Sequence, residues 1–196
     1  MTPLTIVIIS HNEGEYLLYT VTSALANSDA QVVVVDDNSD DGSSELVESV
    51  CRDPRLAIIR TAGLGVAGAR NAGAELAEAD NLLFLDAHCY LPQNTPRAIV
   101  AALLARDTGL ATTRFYHLAE EPGPSGVGMV FEGTSLRAQY MAGNGQRPKE
   151  SLLAGGCGFA MRTADFRAMG GFDEGMGRWG YEDAELSLWV WRAGMK

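Results

Sequence analysis

The chain has 196 residues, 46% of them hydrophobic and 20% charged, and a formal net charge of −10. That length supports one domain with one core, and the acidic balance excludes a nucleic-acid binder, which needs a basic face to neutralise phosphates. No apolar run is long enough to cross a bilayer and no charged-then-apolar leader is visible, while three widely spaced cysteines (Cys51, Cys89, Cys157) fit neither a disulfide framework nor a zinc pattern and indicate a reducing, cytoplasmic setting.

LTIVIIS (4–10) is a β-branched apolar run and reads as a buried strand. Leu17, Val21, Ala24 and Leu25 then repeat at helical spacing. QVVVVDD (31–37) is a second buried strand, followed by a helix for which Asp41 or Ser43 is the expected N-cap. LAIIRT (56–61) is a third strand, and Val66, Ala69, Gly73 and Leu76 form a helix stripe. NLLFLD (81–86) is a fourth strand, a helix is expected over about 95–106, and LATTRFYH (110–117) reads as a fifth strand. This alternation predicts an α/β fold with a mostly parallel sheet and helices on both faces. Residues 117–150 are rich in Gly, Pro and polar side chains and show no period, so a long loop able to cover a substrate is expected there. Order returns at LLAGGCGFAMR (152–162), with a short helix near 163–169. A last helix from about Asp183 carries Leu186, Trp189, Val190 and Ala193 on one face.

Ligands of open parallel sheets bind beyond the carboxyl ends of the strands. Three strands here end in polar clusters: SHNE (Ser10, His11, Asn12, Glu13), DDNSDDG (36–42) and DAH (86–88). Each alone is a reasonable turn, because Asp, Asn, Ser and Gly cap and turn chains well; their convergence argues for one shared site. Asp36 and Asp37 are neighbours on a strand and point to opposite faces, so one can reach a ligand while the other braces the loop. GLGVAG (63–68) fits a G-x-G-x-x-G fingerprint, with Asp86 as the downstream acid. Against a dinucleotide site, it follows the third strand and not the first, and it leaves Asp36 and Asp37 unused. Asp86 and His88 lie two apart at a strand end, where period two puts both on one face. A carboxylate with an imidazole suits Mn²⁺, with Mg²⁺ a further candidate. A surface histidine making a turn hydrogen bond explains the pair equally well. In GGFDEGMGRWGYEDAEL (170–186), Trp179 and Tyr181 offer flat faces of the kind sugars stack on. Glu182 and Asp183 open a helix, where acids suit the dipole and where a carboxylate can act as general base.

Taken in order, HNE (11–13), VVVVDDNSDDGS (32–43), GARNAG (68–73), LLFLDAH (82–88), GGFDE (170–174) and GYEDAEL (180–186) resemble family 2 glycosyltransferases of the GT-A fold over nearly the whole chain. The resemblance implies a Rossmann-like single domain over residues 1–196, cut short at its C-terminal end. It also implies metal-dependent transfer of a sugar from a nucleotide-diphosphate donor, a UDP-sugar, to an acceptor hydroxyl on a glycan, lipid or protein. FLDAHC (84–89), TVTSAL (20–25) and AGGCGFAMRTADFRAMGGFDEGMGRWGYE (154–182) are similar to the polypeptide N-acetylgalactosaminyltransferase branch. The resemblance then implies that Asp86 and His88 hold the metal. It puts Ser10, His11, Glu13, Asp37, Arg70 and Asp86 around the nucleotide, and Gly156, Trp179 and Glu182 near the donor sugar or acceptor. That branch retains anomeric configuration and has Asn after the Glu. Asp183 stands there instead, as in inverting members, where it is the base; inversion with Asp183 as base is the expectation. The branch also supplies a third metal ligand, a His downstream of the last helix, and the one histidine outside these motifs is His117. Two other readings are a nucleotidyltransferase, disfavoured because SHNEGEY has no Lys after the first strand, and a non-catalytic nucleotide-sugar-binding domain. The expected location of the protein is cytoplasmic, with a peripheral membrane association as the alternative.

Overall fold

In a computed structural model, residues 4–105, 107–115, 126–135, 137–142 and 150–196 are described. The elements in order are β1 (Leu4–Ser10), α1 (Glu15–Asn27), β2 (Gln31–Asp37), α2 (Ser43–Val50), β3 (Leu56–Thr61), α3 (Gly65–Glu75), β4 (Asn81–Asp86), α4 (Thr95–Leu103), β5 (Leu110–Thr112), β6 (Gly126–Phe131), β7 (Ala138–Ala142), β8 (Gly158–Arg162), α5 (Thr163–Ala168), a single 3-10 turn (Glu174–Met176) and α6 (Glu182–Arg192).

Six strands form one sheet in the order β3-β2-β1-β4-β8-β5, and β6 and β7 form a separate hairpin. β1 pairs in parallel with β2 and β4, and β2 with β3, whereas β8 runs antiparallel to both β4 and β5. The strand order reverses between β1 and β4, so the crevice at their carboxyl ends is the topological switch point. Alternation along the strands sorts the core into two layers. Ile6, Ile8, Val32, Val34, Leu83 and Leu85 face Leu17, Val21, Val47 and Ile99 of α1, α2 and α4. Val7, Val33, Val35, Leu82 and Phe84 face α3, α5 and α6. In that second layer Phe84 sits 5.2 Å, centroid to centroid, from each of Phe159, Phe166 and Phe172. No helix among the described residues is long and apolar enough to cross a membrane.

The structure shifts several expected boundaries. β5 ends at Thr112 and α4 at Leu103. Gly42, in the left-handed region at φ 76°, is the N-cap of α2; Ser43 is its first residue, and Asp41 Oδ1 accepts the Ser43 N–H at 3.0 Å. Leu76 and Trp189, read as parts of buried stripes, are 42% and 45% exposed. The stretch read as loop contains the β6–β7 hairpin, whose Met129 packs with Leu153 and Ala184 into a small third cluster. His117 lies outside the described residues.

Candidate functional site

The first two polar strand ends are stapled together. The Asn12 N–H donates to Ser39 Oγ (3.0 Å), the Asp40 N–H to Asn12 Oδ1 (2.8 Å) and the Gly14 N–H to Asp41 Oδ2 (2.7 Å), while His11 Nδ1 lies 2.8 Å from the Asp37 carbonyl. Asn12 and Asn38 take left-handed backbone at φ 57° and 65°, a conformation asparagine tolerates better than most residues. Ser10 is buried beneath these loops, and its hydroxyl has no partner among the described residues.

Both aspartates at the end of β2 are consumed by the chain itself. Asp36 accepts the Ser44 hydroxyl and the Ser39 N–H. Asp37 accepts four donors: Thr61 Oγ1 at 2.6 Å and the N–H groups of Gly63, Leu64 and Gly65 at 3.1, 2.6 and 2.8 Å. Burial pushes the Asp37 carboxyl up, but the Thr61 hydroxyl and the three N–H groups outweigh it and hold the group below the usual carboxylate range. Asp36 and Asp37 thus both brace loops through the chain's own donors. The same contact settles the G-x-G-x-x-G stretch. Successive N–H groups of a glycine loop at a helix start make an anion-binding nest, and here Asp37 already fills it. Gly65 is required for a second reason: at φ 77°, a Cβ there would come within 2.9 Å of the Arg178 Cα and the Gly177 carbonyl oxygen.

Arg70 occupies the centre of the crevice and is only 2% exposed. Its Nη1 donates to Glu182 Oε1 at 2.7 Å, and its Nη2 donates to Asp86 Oδ1 at 3.1 Å and the Gly156 carbonyl at 2.8 Å. The guanidinium packs over the rings of Phe159 and Phe172, 5.4 and 5.6 Å from their centroids. Arg70 thus sits below the site and links three of its residues, where the sequence suggested the nucleotide surface.

Asp86 closes β4 with its side chain 26% exposed. Desolvation raises its carboxyl above the usual range, and the Arg70 charge opposes this. Only Oδ1 is claimed by Arg70; Oδ2 has no donor among the described residues. His88 stands 54% exposed, with Nδ1 3.2 Å from Glu13 Oε2. Among the described residues no group of three or more His, Cys, Asp or Glu is close enough to hold a metal unaided.

Across the crevice, Gly156 lies directly over Asp183: a Cβ on Gly156 would be 3.0 Å from Asp183 Oδ2. Burial, and then the neighbouring Glu182 charge, raise the Asp183 carboxyl, while the N–H groups of Ala184 and Gly156 partly offset them. Trp179 is 85% exposed, and Tyr181 caps α6 in left-handed backbone at φ 65°. The hairpin adds a residue that sequence reading missed. Tyr140 of β7 packs edge-on against Phe115 and over Gly155, and its phenol is pushed up to about 12 by burial and by Cys157, Asp183 and Asp86 nearby. Nothing in the local sequence marks it; only the antiparallel return of the hairpin brings it here.

The chain is similar to known proteins along nearly its whole length. The family model described as Glycosyl transferase family 2 matches residues 5–170. A probable N-acetylgalactosaminyltransferase 7 of Caenorhabditis elegans is 31% identical over 218 residues, which cover 97% of this chain and 36% of the relative. A polypeptide N-acetylgalactosaminyltransferase 4 of Mus musculus is also 31% identical, covering 99% of this chain and 38% of the relative. The crystal structure of GalNAc-T7 with UDP, GalNAc and Mn²⁺ superposes with a TM-score of 0.84 at 25% identity, over 98% of this chain and 40% of that one. The chain therefore spans little more than a third of the length of these curated relatives, and it belongs to glycosyl transferase family 2.

Proposed function

We propose that this chain forms the nucleotide-sugar site of a metal-dependent glycosyltransferase that takes a UDP-sugar as donor and a hydroxyl group, a polypeptide hydroxyl first among the candidates, as acceptor. The observation that carries the reading is the link at the switch point from Asp86, two residues before His88, through Arg70 to Glu182, the neighbour of Asp183. A solved relative that binds UDP, GalNAc and Mn²⁺ supports the donor class and the metal.

The residues fit a divalent ion. Asp86 offers a free carboxylate oxygen, and Glu13 on Nδ1 of His88 leaves Nε2 as the available ring nitrogen. A carboxylate behind a ligating imidazole fixes its tautomer and orientation. A bound ion supplies charge neutralisation to the departing nucleoside diphosphate. The protein's own part is to present the donor: the stapled β1 and β2 ends make a rigid floor for the nucleotide beside His11, Glu13 and the buried Ser10, and Asp37 holds the neighbouring loop in shape. Gly156, with no side chain, lets the sugar approach Glu182 and Asp183, and Trp179 stands at the rim for the acceptor. An acidic chain repels an anionic donor at a distance, so the ion and the buried guanidinium are the local counter-charges.

Retention of anomeric configuration is the outcome that the N-acetylgalactosaminyltransferase relatives favour, against the inversion expected from Asp183. Inversion keeps one specific observation on its side, an Asp183 carboxylate whose pKa is raised above the usual carboxylate value by burial and by the Glu182 charge, the direction that suits a general base. Incubation with a panel of UDP-sugars, Mn²⁺ and peptide, glycan and lipid acceptors, with the product anomer read by NMR, decides both points. An α-product from an α-donor establishes retention. A β-product, together with an Asp183→Asn variant that binds donor but does not transfer, establishes inversion. Neither turnover nor nucleotide binding with any donor would falsify the glycosyltransferase reading.

A further inference from the structure

We infer that Arg70 is a positioning residue that sets the mutual placement of the two halves of the site, Asp86 on β4 and Glu182 on α6, and thereby makes metal binding at Asp86 sensitive to Glu182. The inference rests on the glycosyltransferase reading above and deepens it.

The geometry allots one nitrogen to each side. Nη1 serves Glu182, and Nη2 serves Asp86 and the Gly156 carbonyl. Three elements remote in sequence, β4, the 154–157 approach to β8 and the start of α6, are thus indexed to one planar group. That group cannot drift: Phe159 and Phe172 flank it, and it is anchored on α3, whose Ala67, Ala69 and Ala74 are buried against the sheet. Its Nε is buried with no partner among the described residues. Retaining a buried arginine with an unsatisfied donor costs stability, which a residue kept for core packing alone would avoid. A guanidinium is also the one side chain whose fork addresses two carboxylates at fixed angles; an ammonium is a point charge and addresses one at a time.

The two carboxylates share one cation, so they compete for it. Removing the Glu182 charge leaves the Arg70 charge less compensated beside Asp86, and a carboxylate more strongly neutralised by a guanidinium is a poorer metal ligand. The expected sign follows: a change at Glu182 weakens Mn²⁺ at Asp86, although Glu182 is not part of the Asp86–His88 pair.

The test uses the purified protein with Mn²⁺ and UDP as probes. Glu182→Gln keeps the shape and one hydrogen bond to Arg70. Calorimetry of Mn²⁺ in the presence of UDP is expected to show affinity lowered about five-fold or more, in line with the loss expected when an outer partner of a metal ligand is altered. Arg70→Lys keeps the charge and loses the fork; kcat is expected to fall about 100-fold, the scale of a small misplacement of reacting groups, with KM for the UDP-sugar changed far less. A merely structural role for Arg70 predicts that Lys restores turnover along with the melting temperature. Mn²⁺ affinity within two-fold of wild type in Glu182→Gln, or turnover in a folded Arg70→Lys within three-fold of wild type, overturns the inference. Should Arg70→Lys not fold, the Glu182→Gln affinity alone decides. A wild-type protein that binds neither Mn²⁺ nor UDP overturns the functional reading itself, and this inference with it.

Discussion

Asp37→Asn isolates the anion that the chain has built into its own glycine loop. The Asp37 carboxylate takes Thr61, Gly63 and Leu64 on Oδ1 and Gly65 on Oδ2, in a buried setting. An asparagine has one acceptor oxygen. Its better orientation keeps that oxygen toward Thr61, Gly63 and Leu64 and turns the NH₂ group toward the Gly65 N–H, donor against donor. One charge-assisted bond is lost and one buried donor is stranded, which together cost about 3 kcal/mol. For a domain of this size each kcal/mol moves the melting temperature by about 2–4 °C, so a fall of about 6–12 °C at pH 7 is expected by calorimetry or circular dichroism. The pH dependence carries a sign. The folded carboxyl lies below its ordinary value, so its contribution is complete above the unfolded pKa of about 4 and is lost as the pH falls through the folded value. The gap between wild type and variant should therefore close in acid. A melting temperature within about 2 °C of wild type at pH 7, or a gap that widens in acid, would refute the nest.

Three further outcomes follow from the same geometry. Asp86→Ala should abolish Mn²⁺-dependent UDP binding without unfolding the protein, because the side chain is partly exposed and makes one hydrogen-bonded ion pair; undiminished binding places the metal elsewhere. Gly65→Ala combines left-handed backbone with a 2.9 Å approach to the Arg178 Cα, and should cost about 2–4 kcal/mol while displacing the turn that carries Trp179; an unchanged melt would mean that the loop yields freely. Phe84→Ala removes the ring that three other phenylalanines surround and should cost about 3–5 kcal/mol in a denaturant titration, with no change in m-value if the transition stays two-state.

The sheet was legible because its strands are buried on both faces. LTIVIIS, QVVVVDD and NLLFLD are continuous apolar runs of strand length, and their polar ends mark the crevice. The β6–β7 hairpin was not legible, because a small two-stranded ribbon needs neither a long apolar run nor a clean alternation: a third of GVGMVF is glycine, and Ala138–Ala142 mixes polar and apolar residues. For the site, Asp86, His88, Glu182 and Asp183 were singled out from strand-end and helix-start positions, and Arg70 links two of them, Asp86 and Glu182. For Asp37 and Arg70, the partners within the chain were not legible in the sequence. A charged side chain at a strand end or helix start looks the same in sequence whether it faces a ligand or the chain's own donors, and only the hydrogen-bond partners separate the two cases. Tyr140 escaped because it reaches the site from a segment with no motif of its own.

The direction of β8 has a consequence for how such an enzyme could change its substrates. The chain leaves the sheet at Thr113 and re-enters it at Gly158, and the Thr113 N–H donates to the Gly158 carbonyl at 2.9 Å. The described residues between them, including Tyr140 and the β6–β7 hairpin, belong to an excursion whose two ends are joined there. Lengthening an excursion whose ends are already joined costs little closure entropy. Replacing the β6–β7 hairpin would alter what stands beside Gly155 while the β1, β2 and β4 ends keep their own pairing.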